Sequence, residues 1–329
     1  MNKVRLISLV TLIFLTTAPV SEAQQPAKMP RIGYLSGSSL AGLAARIEAF
    51  RQGLRELGYV EGKNIVIEWR SAEGNADRLS ELAAELVRLK VDVFVSPGPT
   101  VTRAVKETTS TIPIVMAQDT DPVSSGFIAS LARPGGNITG LATLAPEIGG
   151  KQLEILKEIS PKISRVAVIG NSNNPGDAQA LRETVLAAGS IEVYLRYLDI
   201  LDPKDIEPAF RAAAKGRADA LLVLGNPILN RQNTRKQIID LTVKQRLPAT
   251  YTRPEFIEAG GLMYYGTNYN DLFRRAATYV DKILKGAKPG DIPVEQPMKF
   301  EFIVNLKAAK QISLTIPPQV LARADKIIK

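Results

Sequence analysis

Any chemistry in this chain has to come from hydroxyls, amides, carboxylates and guanidiniums. The 329 residues include neither Cys nor His. That removes disulfides, thiol nucleophiles, Cys/His zinc sites and His-dependent triads, and with them the commonest general base. Binding, not catalysis, is the function class this composition favours. No G-x-S-x-G elbow, Walker-type phosphate loop or G-x-G-x-x-G fingerprint occurs; Gly37 and Gly42 lack the necessary spacing.

The polar residues gather in short loops rich in Gly, Pro and Asn. Ser96-Pro97-Gly98-Pro99-Thr100 opens a helix pattern. Its backbone N–H groups, with Gly98, Pro99 and the Thr100 hydroxyl, suit a carboxylate; capping by Thr100 would use the same groups. Ser36, Gly37 and Ser38 end the first apolar run and read the same way. Gln118 and Asp119 follow another apolar run and suit a ligand ammonium or hydroxyl, whereas Asp121 before Pro122 suits a turn. Asn171, Asn173 and Asn174 form an amide loop, and Asn226-Pro227 repeats it after a later strand; amides bond hydroxyls and carboxylates but stabilise turns equally well. Arg253 offers a bidentate carboxylate clamp or a surface charge. Trp69, the single Trp, lies in an alternating strand and reads as packing.

These loops need a scaffold, and the apolar patterning supplies one. Short apolar runs at Arg31–Ser36, Val91–Val95, Ile112–Met116, Val166–Ile169, Ala220–Leu224, Pro248–Tyr251 and Leu262–Tyr265 read as strands. Helical patterns separate them, including Leu43, Ile47, Phe50, Leu54 and Leu57 on one face. Strand, polar loop and helix in repeated order predict parallel sheets with helices on both faces. In such sheets ligands sit beyond the carboxyl ends of the strands, where the polar loops fall. Arg133-Pro134-Gly135-Gly136-Asn137 is a turn between two such sets, and Ile138–Leu141 is a strand or a strap between two bodies. The spacing predicts two Rossmann-like lobes with a ligand between them.

A 45% hydrophobic, 23% charged composition is that of a globular chain long enough for two cores. The +9 formal charge is spread along predicted helices without basic runs, so nucleic acid is not an expected partner. At the N-terminus Lys3 and Arg5 precede an apolar run, Leu6–Leu15, and then Ser21-Glu22-Ala23. This predicts a signal peptide over residues 1–23, cleaved after Ala23, with the mature chain exported.

The stretches Ile67–Gly74, Leu131–Gly140, Glu258–Met263, Gln296–Glu301 and Asn305–Lys310 resemble the periplasmic substrate-binding proteins of ABC transporters with a type I binding-protein fold. The resemblance is to the branch that includes tryptophan- and tyrosine-type binders, and it covers essentially the whole mature chain. It implies three crossovers near Gly140, Gly266 and Pro297, giving residues 24–141 plus 266–296 as lobe one and 142–265 plus 297–329 as lobe two. It further implies a periplasmic monomer, no catalytic residue, no metal and no cofactor. The expected partners are a small carboxylate-bearing solute, first an aromatic amino acid or aromatic acid, and an inner-membrane ABC permease. The implied ligand contacts are Ser36, Gly37, Ser38, Gly98, Pro99, Thr100, Gln118, Asp119, Asn171, Asn173, Asn174, Asn226 and Arg253. The order Ser96–Thr100 departs from the Gly-Thr-Pro more usual in relatives. An alternative is a periplasmic sensor subunit that presents a bound ligand to a chemoreceptor or kinase.

Overall fold

The structure is a computed structural model that describes residues 29–143, 147–226 and 228–329. The expected signal peptide and its cleavage site lie outside the described residues, as does Pro227. In the first half, strands β1 (Arg31–Ser36), β2 (Val66–Ser71), β3 (Val93–Pro97), β4 (Ile114–Asp119) and β5 (Ile138–Ala142) alternate with helices α1 (Ala44–Glu56), α2 (Leu79–Arg88) and α3 (Pro99–Thr108). The strands pair in parallel in the order β2-β1-β3-β4-β5. β4 and β5 are buried along their whole length and β3 nearly so, as expected for continuous apolar strands covered on both faces. Ile138–Leu141 is therefore a strand of this sheet.

The second half supplies α4 (Glu147–Ile159), β6 (Arg165–Gly170), α5 (Pro175–Ser190), β7 (Tyr194–Asp199), α6 (Ile206–Lys215), β8 (Ala220–Val223), α7 (Gln232–Gln245), β9 (Ala249–Tyr251), α8 (Glu255–Glu258) and β10 (Met263–Thr267). After α9 (Tyr269–Leu284) come β11 (Phe300–Asn305), α10 (Leu306–Gln311), α11 (Pro318–Leu321) and β12 (Lys326–Ile328). The seven strands order as β12-β11-β10-β9-β8-β6-β7. All pairs are parallel except β10 with β11. That sheet is mixed because β11 enters it after an excursion to the first sheet, running opposite to the strand beside it.

The excursion is carried by α9, which packs on α1 and β4. The α1 contact is so close that a Cβ on Gly53 would lie 2.2 Å from the Arg274 carbonyl oxygen. Phe50, Leu54, Phe273, Ala277 and Val280 fill the core there. Leu57, expected on the buried face of α1, is exposed because the helix has ended and the chain turns at Gly58. Beyond α9 the chain runs beside β5. Thr139 Oγ1 donates to the Ile292 carbonyl (2.7 Å), Ala142 N–H to the Glu295 carbonyl (2.9 Å), and Glu295 N–H to the Gly140 carbonyl (3.1 Å). Gly140 has φ +134°, and a Cβ there would lie 2.2 Å from the Met116 carbonyl oxygen, so only glycine lets β5 approach β4 in this way.

Within the second layer, the Gln152 side chain ties two neighbouring strands to α4. Its Nε2 donates to the Tyr265 carbonyl at 2.7 Å and the Tyr251 carbonyl at 3.4 Å. Trp69 packs on Tyr34, with ring centroids 4.7 Å apart, and its indole N–H donates to Glu61.

Candidate ligand cleft between the two sheets

A cavity of about 260 Å³ lies where the strand-end loops of both sheets meet. The first sheet contributes Ser36, Gly37 and Ser38 after β1, Pro97, Gly98, Pro99 and Thr100 between β3 and α3, and Gln118 and Thr120 at the end of β4. The second contributes Asn174, Gly225, Asn226, Asn230, Arg235, Arg253 and Glu255, and Arg46 reaches in from α1. A smaller cavity of about 90 Å³ adjoins it and shares Thr120, Gly225 and Arg253.

On the first wall, α3 presents an open N-terminus. Its N-cap is Gly98, at φ +126° and ψ 161°, and no side chain caps it. Pro99 at the first helical position has no N–H, and Thr102 N–H donates back to the Gly98 carbonyl at 3.0 Å. Thr100 and Val101 are left with the first-turn N–H groups that a bound anion can accept. Thr100 is thus exposed on the helix and is not its cap. Ser36 is spent locally: its hydroxyl donates to the Ser38 carbonyl (2.7 Å) and accepts from the Ser38 N–H (3.1 Å). Gln118 is 8% exposed, and its Oε1 has no partner.

On the second wall Arg253 stacks on the Tyr269 ring, 5.0 Å from its centroid, and Arg46 stacks on the same ring at 4.5 Å. Arg46 also pairs with Glu255 at 2.5 Å. Burial pushes the Glu255 carboxyl up, but Arg46 and Arg253 outweigh it and hold the group below its ordinary value. Arg235 Nη1 donates to the Asn230 carbonyl at 2.9 Å, while its Nε is buried without a partner. Neither Arg235 nor Arg253 has an ion pair among the described residues. Asn230 Oδ1 and Glu255 Oε2 are likewise buried and unpartnered. Buried polar groups are ordinarily satisfied, so four orphan atoms around one cavity mark where a ligand's polar groups belong.

Three of the anticipated contacts fall outside the cleft. Asp119 is 1% exposed and is not on its wall. Successive strand residues face opposite sides, so Gln118 and Thr120 reach the cleft and Asp119 between them does not. Neither carboxylate oxygen has a hydrogen-bond partner, and burial pushes the group up to about 7, although the nearby Thr102 hydroxyl and Thr120 N–H act in the other direction. Asn171 and Asn173 form a turn in which Asn171 Oδ1 accepts from Asn173 N–H at 2.8 Å. Asn174 and Asn226 do line the cleft but are largely committed. Asn174 Oδ1 caps α5 through Asp177 N–H (3.0 Å). Asn226 Oδ1 accepts from Ile228 and Leu229 N–H, both at 3.0 Å, and its Nδ2 donates to Asp177 at 2.7 Å. Burial pushes Asp177 up to about 6, partly offset by Asn171 N–H and Asn226. Asp121 acts as a turn residue, accepting from Ser124 N–H at 3.0 Å.

Arg46, Arg235 and Glu255 were not among the anticipated residues. They sit on helices, where lone charges look like solvated surface, and Arg46 lies 209 positions from its partner. Strand-end position does not reach Arg46 or Arg235, although Glu255 lies just beyond Arg253, where the loop after β9 leads into α8.

The cleft lies between two sheet layers, is lined largely by strand-end loops and contains neither His nor Cys. A family model described as "ABC transporter substrate binding protein" matches residues 35–328. The chain belongs to the ABC transporter substrate-binding family. Among curated relatives of this substrate-binding protein is a "Tyrosine-binding protein" of Clostridioides difficile (strain R20291), 26% identical over 270 residues, 81% of this chain and 76% of the relative. Among solved structures, a conserved domain protein of Vibrio cholerae is 28% identical with a TM-score of 0.80, over 91% of this chain and 100% of that one. An ABC domain of Streptococcus pneumoniae in complex with L-Trp has a TM-score of 0.80 at 23% identity, over 91% and 99%. A leucine-binding protein of Thermotoga maritima, at 0.59 and 13% over 86% and 87%, shares the fold. The substrate-binding protein described here is thus a two-lobed α/β chain of the type I periplasmic-binding-protein kind. Among its described residues no helix is long and apolar enough to cross a membrane.

Proposed function

We propose that this chain is the exported receptor of an ABC importer. It captures a small carboxylate-bearing solute, of amino-acid type, between its two lobes and presents it to an inner-membrane permease. The observation that carries this reading is the pairing of anion-binding groups across one cavity: the uncapped first turn of α3 on one wall, and Arg253, which makes no ion pair among the described residues, on the other. A carboxylate there accepts charge-assisted hydrogen bonds from both lobes, and the closed arrangement is favoured only when both contribute. Gln118 Oε1 and Glu255 Oε2 offer acceptors for an ammonium.

The lobe boundaries of this reading follow the chain's passages between layers, near Gly140, Gly266 and Pro297, and these passages act as the hinge. Tyrosine and tryptophan head the panel of solutes because similar proteins carry those ligands in their descriptions. The test is a thermal-shift screen of the chain from Gln24 onward against amino acids, aromatic acids and sugars, with hits measured by calorimetry. A solute at about a hundred times its Kd stabilises the fold by roughly 2.7 kcal/mol. A hit abolished by Arg253→Ala supports the reading; no stabilisation by any carboxylate-bearing solute refutes it.

A further inference from the structure

The cleft holds more positive charge than a single carboxylate needs. Three guanidiniums and one carboxylate line it: Arg46, Arg235, Arg253 and Glu255. Arg46 and Glu255 neutralise each other at 2.5 Å. Arg235 and Arg253 are left as two cations without an ion pair among the described residues, and the open N-terminus of α3 adds partial positive charge. Two further acids line the adjoining side cavity rather than the cleft itself. Asp177 and Arg253 each favour the other's charged form, but the carboxylate is turned to Asn171 N–H and Asn226 Nδ2 at 2.7 Å each, lines the side cavity and makes no ion pair with Arg253 among the described residues. Glu183 also lines only that side cavity. Buried polar atoms are ordinarily hydrogen-bonded, and Arg235 Nε is buried with no acceptor among the described residues. A neutral zwitterion such as tyrosine supplies one carboxylate and would leave one of the two arginines unmatched.

We propose that the solute selected by this cleft carries two carboxylates, or an equivalent pair of anionic groups, one received by Arg253 and the other by Arg235. This deepens the receptor reading above and rests on it. Three unpartnered acceptors, Gln118 Oε1, Asn230 Oδ1 and Glu255 Oε2, border the same space. An amino dicarboxylate therefore satisfies more of the lining than a plain dicarboxylate. Arg235 is the specificity-determining residue: it discriminates between solutes of one shape and different charge.

The experiment compares pairs of nearly equal size by calorimetry on the chain from Gln24 onward: glutamate against glutamine, and terephthalate against 4-carbamoylbenzoate, with tyrosine and tryptophan alongside. The dicarboxylate member of at least one pair binds ten- to a hundredfold more tightly, the range for one hydrogen bond to a charged group. Arg235→Gln brings that ratio close to one, and Arg235→Lys restores much of it, while circular dichroism and the ligand-free Tm report folding of both variants. If tyrosine, tryptophan or the singly charged members bind as tightly as the dicarboxylates, the two-charge proposal is overturned and the receptor reading stands. An equal weakening of both members of a pair by Arg235→Gln also overturns it, assigning Arg235 to the shape of the cleft. If no solute of either class binds, both readings fall together.

Discussion

Arg46 on α1 and Glu255 on α8 meet at 2.5 Å although 209 positions separate them, and the pair joins the helices of one sheet to the loops of the other across the mouth of the cleft. Both side chains are mostly buried, at 11% and 24% exposure, so screening by solvent reduces the pair without abolishing it. Arg46 also rests on Tyr269, against which Arg253 stacks from its own side. The paired guanidinium of Arg46 and that of Arg253 therefore share one aromatic ring.

Removing the Arg46–Glu255 pair shifts the protein toward an open arrangement. Glu255→Gln keeps the shape and deletes the charge, and we expect solute affinity to fall about tenfold, from roughly 1–2 kcal/mol of a charge-assisted bond. Small-angle scattering of the ligand-free variant should show a larger radius of gyration than the parent. An unchanged radius and affinity would show that the pair plays no part in closure.

Arg253 gives a sharper outcome. Arg253→Ala removes the clamp and its stacking on Tyr269, and solute affinity falls at least a hundredfold, on the order of 3 kcal/mol. The Tm of the ligand-free protein changes by only a few degrees, because among the described residues the Arg253 side chain has no hydrogen bond to lose. Calorimetry and a melting curve on the same sample separate the two effects.

Gly140 is a stability position. Replacing it with Ala puts a Cβ 2.2 Å from the Met116 carbonyl oxygen, in a backbone conformation with φ +134°. The left-handed conformation alone costs about 1–2 kcal/mol, and the displaced strand pairing adds to it. Chemical denaturation should show at least about 2 kcal/mol lost. Gly136→Ala, where no atom lies within 4 Å of the added carbon, is the matched control and should change little.

Asp119 predicts a pH dependence. Its folded-state value is about 7 against an ordinary 3.8, and burial is the main cause. With the folded value raised, the native state binds the extra proton. The contribution is fully present below about pH 4 and is lost as pH rises through about 7. At pH 8 the ionised buried carboxylate opposes folding by up to about 4 kcal/mol, three pKa units at 1.36 kcal/mol each. Asp119→Asn should flatten the stability profile between pH 4 and 8 and raise Tm at pH 8 relative to the parent. A profile of the same slope in both proteins would remove Asp119 as its source.

Much of this architecture was written in the spacing of apolar residues. Ile32 to Leu35, Val93 to Val95 and Ala220 to Val223 are buried strands in the expected order, because strands covered on both faces leave an unbroken apolar signature. The loops after β1, β3 and β4 were likewise visible as breaks in that signature, and they do reach the cleft. Direction was less legible. No local signal distinguishes β11, which pairs antiparallel, from its parallel neighbours, since the sense of a strand is set by where the chain has just been. The amides were ambiguous for a chemical reason: the groups that would bind a ligand also close turns, and in Asn171 and Asn226 the turn took them. For Gln118 and Asp119, alternation says that the two face opposite sides but not which one faces the cleft, and the register of β4 shifts there. Arg46 and Arg235 offered no such handle, and only the fold brings them to the cavity; Glu255 lay two positions beyond Arg253, where the loop after β9 leads into α8.

The course of α9 also bears on how the molecule is made. This helix comes from the last fifth of the chain, yet Phe273, Ala277 and Val280 complete the core against Phe50 and Leu54 near the beginning. A nascent chain that stops before Tyr269 has every strand of the first sheet but leaves the α1 side of that sheet bare. Neither layer is a self-sufficient folding unit in order of synthesis, and the earliest-made half must wait for the latest-made. Such distant pairing slows folding and prolongs exposure of apolar surface.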